Sequence, residues 1–282
     1  MRKTFGIIGG DRRQAELSRL LEQDGAAVRT YGLGRWTTAG AAALKQTAEA
    51  DVIVLPLPLC KGEGVLNCEE DPVPTIELFR LLRPEQKILA GNVQPRQHWE
   101  ASVCGLTLED YFLREELTVA NAAATAEGAI QVAMEHLDRT LLGMECLVLG
   151  FGRIGKLLSC RLQGLGARVT ASARKPGDLA WIQAYGWNAL NTQLLHGRIQ
   201  GFALVFNTIP SCVLDESLLA ELPPDCLCID LASQPGIDMA AAEKMGVNCI
   251  WGRSLPGRLA PCTAAEVIRN TINYMLLEGD PT

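Results

Sequence analysis

Short apolar runs alternate with segments of helical pattern along almost the whole chain. Runs at residues 4–8, 27–31, 52–55 and 87–90 predict buried strands, and the pattern over 14–24 predicts a helix between the first two. A second series of runs follows at 146–149, 169–172, 204–207, 226–231 and 247–250. Near-continuous apolar strands separated by helices belong to a parallel sheet covered on both faces, so the pattern predicts two doubly wound α/β units. Between them an alanine-rich stretch, 121–139, predicts a long connecting helix with Thr125-x-Glu127-Gly128 near its start. Residues 263–277 predict a closing helix that returns to the first unit, giving one unit of 1–120 with 264–282 and another of 121–263. Proline and glycine gather at 55–64 and 255–261, where two long loops are expected.

Length and composition agree with this division. The chain of 282 residues is long for one ordinary domain, and its 48% hydrophobic and 21% charged residues are those of a packed globular protein. With 26 Lys and Arg against 32 Asp and Glu, the formal charge is −6 and no basic run is present, so nucleic acid is not expected as a partner. The opening Met1-Arg2-Lys3-Thr4-Phe5 leads into a strand rather than a secretory leader, and no apolar run reaches the ~18 residues of a membrane span. A cytoplasmic protein with no membrane contact is therefore expected. The 10 cysteines run from Cys60 to Cys262 without a C-x-x-C pair, and most lie in apolar stretches, which points to buried reduced thiols. His98, His136 and His196 stand far from one another and from any paired cysteine, so no metal site is expected.

The strongest chemical signal is Gly150-Phe151-Gly152-Arg153-Ile154-Gly155, set directly between a predicted strand and the helical run 156–165. In that context the first glycine permits the tight turn, the second lets backbone amides approach a pyrophosphate, and the third lets the helix pack against the sheet. The second unit is thus expected to be a Rossmann-like dinucleotide-binding domain. Its next strand ends in Ser172-Ala173-Arg174-Lys175, with no acidic residue for the ribose hydroxyls of NAD. Two cations after a small hydroxyl residue suit the 2′-phosphate of NADP, with NAD the less favoured cofactor. Asn207-Thr208-Ile209-Pro210 closes a further strand at the carboxyl edge, where a nicotinamide ribose would pass. In the first unit the glycines of Gly6-x-x-Gly9-Gly10-Asp11 do not have the dinucleotide spacing, so it is read as a Rossmann-like substrate domain, with Asp11 and Arg13 at its first strand tip. Arg13 is either a clamp for a substrate carboxylate or an ordinary surface arginine.

Two units with a returning helix resemble the D-2-hydroxyacid dehydrogenases, whose chemistry needs an arginine for the substrate carboxylate and a Glu-supported histidine as acid and base. The corresponding stretches are Asp230-Leu231-Ala232-Ser233-Gln234-Pro235-Gly236 and Pro261-Cys262-Thr263, which hold neither residue. Interconversion of a carbonyl and an alcohol is therefore disfavoured, because it needs a proton donor of suitable pKa at the oxygen.

Along nearly its whole length the chain resembles the dipicolinate synthase A-subunit family of spore-forming bacteria. The resemblance is carried in order by Ile8-Gly9-Gly10-Asp11 with Arg13-Gln14, Gly62-Glu63-Gly64-Val65, Asn121 with Thr125-x-Glu127-Gly128, and the glycine motif at 150–155. It continues through Ala173-Arg174, Asn207-Thr208-Ile209-Pro210-Ser211, Asp230-Leu231-Ala232-Ser233 and Leu255-Pro256-Gly257 with Ala260-Pro261. The chain departs from that pattern at Gln234, where an arginine is usual, and at Cys262, where a lysine is usual. The resemblance implies NADP-dependent oxidation of dihydrodipicolinate to dipicolinate, with the flavoprotein-like B subunit of dipicolinate synthase, in the mother cell during sporulation. Forming an aromatic ring is strongly downhill, so positioning and a modest base suffice. Arg13, Asn121, Thr125 and the amides of Gly62 to Gly64 are the expected dicarboxylate contacts, and Glu63, Asp11 and Glu127 the candidate proton acceptors. A homo-oligomer is expected. Two other readings stay open: a dehydrogenase of another small carboxylate, and a non-catalytic NADP-binding platform for the B subunit.

Overall fold

A computed structural model describes residues 3–36 and 43–278. Two compact units make up the chain, Met1–Asn121 with Ala260–Thr282, and Ala122–Leu259. The first contains β1 (Thr4–Ile8), α1 (Arg12–Gln23), β2 (Ala27–Tyr31), α2 (Leu44–Ala48), β3 (Val52–Val54), α3 (Thr75–Phe79), β4 (Lys87–Ala90), α4 (Pro95–Val103) and β5 (Leu108–Asp110). The chain passes along α5 (Glu115–His136) into the second unit. That unit contains β6 (Glu145–Leu149), α6 (Arg153–Gly164), β7 (Arg168–Ala173), α7 (Pro176–Ala184), β8 (Asn188–Asn191) and β9 (Leu204–Asn207). It continues with α8 (Glu216–Leu219), β10 (Leu227–Asp230), α9 (Met239–Met245), β11 (Asn248–Trp251) and α10 (Leu255–Leu259), before α11 (Pro261–Glu278) rejoins the first.

The first sheet has the order β2-β1-β3-β4-β5, with every pair parallel. Successive residues of β1 face opposite sides, so Ile7 joins a core with Leu17 and Leu21 of α1 and Ile268 and Ile272 of α11, while Ile8 joins one with Leu78 and Phe79 of α3. The second sheet has the order β11-β10-β9-β6-β7-β8, again all parallel. Counted from β6, this is the 3-2-1-4-5-6 arrangement of a dinucleotide-binding sheet, in which the strand order reverses beside its first strand. Val148 and Phe206 lie in the core beneath α5, α6 and α7, whereas Leu147 and Val205 lie in the core beneath α8 and α9. The predicted α/β class with two doubly wound sheets is what the structure has.

Several boundaries differ from the expectations. The connecting helix begins at Glu115 and ends at His136, so Thr125 to Gly128 fall in its middle. Glu115 and Glu116 favour the early start by meeting the positive end of the helix dipole, and Leu117 anchors that turn in the first core. Part of the expected loop at 255–261 is helical, as α10, because Leu255 is buried against the second core. Strands β5 and β8 escape the apolar pattern: each is a short edge strand carrying polar side chains.

Candidate functional site

In the second unit, β6 delivers its apolar residues into the core and stops at Gly150, whose φ of +99° turns the chain sharply toward α6. A Cβ on Gly150 would stand 2.4 Å from Thr208 Oγ1, and one on Gly155 would stand 2.1 Å from the Gly150 carbonyl oxygen. Both are glycines because backbone or side chain already fills the space. Gly152, the N-cap of α6, is different: a Cβ there would meet nothing within 4 Å. The turn therefore presents an open cradle at the helix N-terminus, where the first amides have no intrahelical acceptor and the helix dipole favours an anion. Phe151 packs into the core, with Lys156 Nζ 5.0 Å from its ring centre. Arg153 and Ile154 form the first turn of α6.

The β7 tip carries the next set. Ala173 is buried, while Arg174 and Lys175 are exposed, and neither makes a side-chain hydrogen bond or ion pair among the described residues. Ser172 departs from expectation: it is 0% exposed, and its Oγ accepts from the Gly150 amide at 3.3 Å and from Thr192 Oγ1 at 2.9 Å. Its hydroxyl ties β7 to the glycine turn instead of facing a phosphate.

Asn207 is likewise 0% exposed. Its Nδ2 donates to the Ile209 carbonyl at 3.0 Å and to Asp230 Oδ1 at 2.9 Å, and its Oδ1 accepts from the Ile209 amide at 3.1 Å. The side chain expected to meet the nicotinamide ribose therefore braces the turn from within. Thr208 donates its hydroxyl to the Leu149 carbonyl at 2.8 Å, while Ile209 is half-buried and Pro210 exposed.

In the first unit, Asp11 is the N-cap of α1, with a capping box closed by Gln14. Arg13 donates to Asp11 through Nε at 3.0 Å and Nη2 at 2.8 Å, and Nη2 also donates to the Leu57 carbonyl. Arg13 is buried, contrary to a surface arginine, and the carboxylate it holds is that of Asp11. Burial pushes the Asp11 carboxyl up, but the hydrogen bonds and charge of Arg13, aided by Lys61, outweigh that and hold it below the usual carboxylate value. A carboxylate so stabilised is a weak base. Glu63 sits at an exposed hairpin tip, closed by the Lys61 amide donating to the Val65 carbonyl at 3.2 Å, and its side chain is 95% exposed with Arg96 at 3.6 Å. Glu127 pairs with Arg161 at 3.0 Å. Asn121 and Thr125 lie one turn apart on the same side of α5, Asn121 half-buried and Thr125 buried.

Two buried carboxylates outside these expectations shape the sites. Asp230 accepts from Asn207, Ala232, Gly236 and Ile237. Glu100, beneath the hairpin tip, accepts from Thr75 Oγ1 and from Arg96 Nε at 2.9 Å. The Asp230-Leu231-Ala232-Ser233 segment marks the first in the sequence, but its partners, contributed by distant loops, are invisible there. The cysteines form no disulfide, and four are buried while Cys160, Cys212 and Cys262 are exposed. Burial pushes the Cys146 thiol up to about 12 and those of Cys60 and Cys68 to about 11, so these stay protonated. Among the described residues no helix is long and apolar enough to cross a membrane, and no group of three metal-ligating side chains occurs.

Comparison with known proteins gives a consistent result. Residues 4–112 match the N-terminal domain of the dipicolinate synthase A subunit. The chain is 31% identical over 284 residues to the dipicolinate synthase A subunit of Bacillus subtilis strain 168, covering 97% of this chain and 96% of that protein. The crystal structure of the dipicolinate synthase A subunit from Bacillus halodurans superposes with a TM-score of 0.87 at 28% identity, covering 99% of this chain and 98% of that one. That of the dipicolinate synthase A chain from Bacillus subtilis gives 0.86 at 30% identity, covering 99% and 97%.

Proposed function

The chain belongs to the dipicolinate synthase A-subunit family, and from that premise we propose that it oxidises dihydrodipicolinate to dipicolinate with NADP, together with a B subunit. The match along the whole chain carries the reading, since both units and every motif of the resemblance fall within it. The balance is one dihydropyridine dicarboxylate and NADP⁺ giving the aromatic dicarboxylate, NADPH and one proton. When bound, the cofactor supplies the hydride acceptor; everything else falls to the protein.

The residues of the second unit fit such a cofactor. The cradle at Gly152 and the N-terminus of α6 suit a pyrophosphate, and the unpaired Arg174 and Lys175 suit a 2′-phosphate, with Ala173 in place of an acidic residue that would repel it. Thr208 and Ile209 form the wall of the turn on the opposite side from β7, with Pro210 exposed beyond them. For the substrate, Asn121 and Thr125 supply hydrogen-bonding groups on one side of α5, and Gly62, exposed and facing open space, allows backbone amides to approach a carboxylate, whereas the space over Gly64 is taken by Arg96. Arg13 and Asp11 act as a neutral pair that fixes the β1 tip. Glu63, open to water, is the better placed of the acidic candidates to take the released proton. The naming of its relatives as one kind of subunit supports a heteromeric assembly, and a role in the mother cell of a sporulating bacterium follows from the same reading.

The test is an absorbance assay at the reduced-nicotinamide band with freshly generated dihydrodipicolinate and NADP or NAD, for this chain alone and with the B subunit. Dipicolinate formed in step with NADPH is the expected result, with NADP preferred at least tenfold in kcat/KM. Tight NADP binding without turnover under either condition overturns the catalytic reading and leaves a nucleotide-binding platform or another carboxylate substrate.

A further inference from the structure

Asp230 ends β10 fully buried, and all its hydrogen-bond partners are donors. Oδ1 accepts from Asn207 Nδ2 at 2.9 Å and the Ala232 amide at 3.0 Å; Oδ2 accepts from the Gly236 amide at 2.6 Å and the Ile237 amide at 3.1 Å. One carboxylate thus ties the last residue of β9 to the loop 231–237 after β10. Asn207 passes the constraint on by gripping both polar backbone groups of Ile209. Thr208 and Ile209 in turn lie directly against Gly150 of the glycine turn. The loops after β9 and β10 are also zipped to one another: the Val213 and Leu214 amides donate to the Gly236 carbonyl at 2.8 and 3.1 Å, and Gly236 crosses so close to Asn207 that a Cβ would stand 2.1 Å from Nδ2. Trp251 Nε1 adds a hydrogen bond to the Ala232 carbonyl at 3.1 Å.

Sheet order gives this assembly a direction. With a pyrophosphate at the β6 turn and an adenosine phosphate at the β7 tip, the other half of a dinucleotide must extend toward β9 and β10, the strands on the far side of β6. We propose that Asp230 is a positioning residue for the nicotinamide half of the cofactor, holding the two loops after β9 and β10 as one wall through its buried carboxylate. The proposal rests on the dinucleotide reading above.

Asparagine at position 230 is nearly isosteric, but in either orientation its amide nitrogen faces donors, so one loop loses its anchor. The experiment measures binding of NADP and of 2′,5′-ADP, which has only the adenosine half, to the full chain by calorimetry. Asp230→Asn is expected to weaken NADP at least tenfold and to leave 2′,5′-ADP within twofold of wild type. Arg174→Ala should weaken both ligands, whereas Ile199→Ala, which opens a cavity in the core before β9, should lower the melting temperature and change neither affinity. Gly236→Ala disturbs the same crossing with the carboxylate intact and should reproduce the split even where Asp230→Asn folds poorly. Wild-type NADP affinity in either loop variant, or equal loss of 2′,5′-ADP, overturns the positioning role alone. A wild-type chain that binds neither ligand overturns the dinucleotide reading and this role with it.

Discussion

At Asp11 a single carboxylate caps α1, closes a capping box with Gln14 and neutralises the buried Arg13. Asp11→Asn keeps a capping acceptor but leaves the guanidinium without its counter-charge, which should cost about 3 kcal/mol near neutral pH, the low end for a broken buried pair because Asp11 keeps 30% of its side chain open to water. The folded-state pKa of Asp11 lies below its ordinary value, so on acidification the unfolded chain takes up the proton first. The contribution is therefore complete above about pH 4 and is lost as pH falls through the folded value. Urea unfolding of both proteins from pH 7 to pH 3 should show their midpoints converging in acid; a constant gap would mean that the carboxyl charge is not what stabilises α1. Residues of this kind also mark how far the sequence can be read. The glycines at 150–155 are legible as a strand-to-helix turn because Gly150 and Gly155 have no room for a side chain. Ser172 and Asn207 are not legible in this way, since their partners are Thr192 and Asp230, brought together only by strand pairing.

At the scale of elements, the glycine turn separates two demands that a motif merges into one string. Gly155 is required for packing, because a methyl group there would collide with the Gly150 carbonyl. Gly152 faces open space, so the fold does not require its small size, and on the proposed cofactor reading it leaves room for an approaching ligand. Gly155→Ala should lower stability by about 1–3 kcal/mol through overpacking, whereas Gly152→Ala should leave the melting temperature within a degree or two and lower NADP affinity at least tenfold. Thermal unfolding paired with calorimetry distinguishes them, and a Gly152→Ala protein that binds NADP as wild type would remove the cradle from the site. Most elements were legible for a related reason: buried parallel strands such as β1, β4 and β9 are apolar over most of their length, and their runs coincide with the strands residue for residue. Edge strands β5 and β8 escape that pattern, and α10 is helical only because the core receives Leu255. Local pattern cannot report a constraint imposed by distant packing.

For the molecule as a whole, the chain's path makes the first unit dependent on its last helix. α11 returns after the entire second unit to pack beside α1, where Ala265, Ile268, Ile272 and Met275 enter the core that holds Ile7 and Leu21, and Arg269 lies 3.5 Å from Asp24 at the end of α1. The second unit encloses its own two cores in one continuous segment, Ala122–Leu259. Loss of α11 should thus act on one unit and spare the other. Ending the chain after Ala260 exposes the apolar face of α1, and each large side chain withdrawn from that core forfeits about 1.5–3 kcal/mol of burial, a sum comparable with the whole stability of a domain of this size. Hydrogen exchange read by mass spectrometry should then show lost protection over β1, β3 and β4 and retained protection over β6, β7 and β9. The single substitution Ile272→Ala, at a fully buried position, should cost about 2–5 kcal/mol in the same region. Unchanged protection of β1 in the shortened chain would show that the first sheet folds without its returning helix, and the discontinuous path would then have no role in stability.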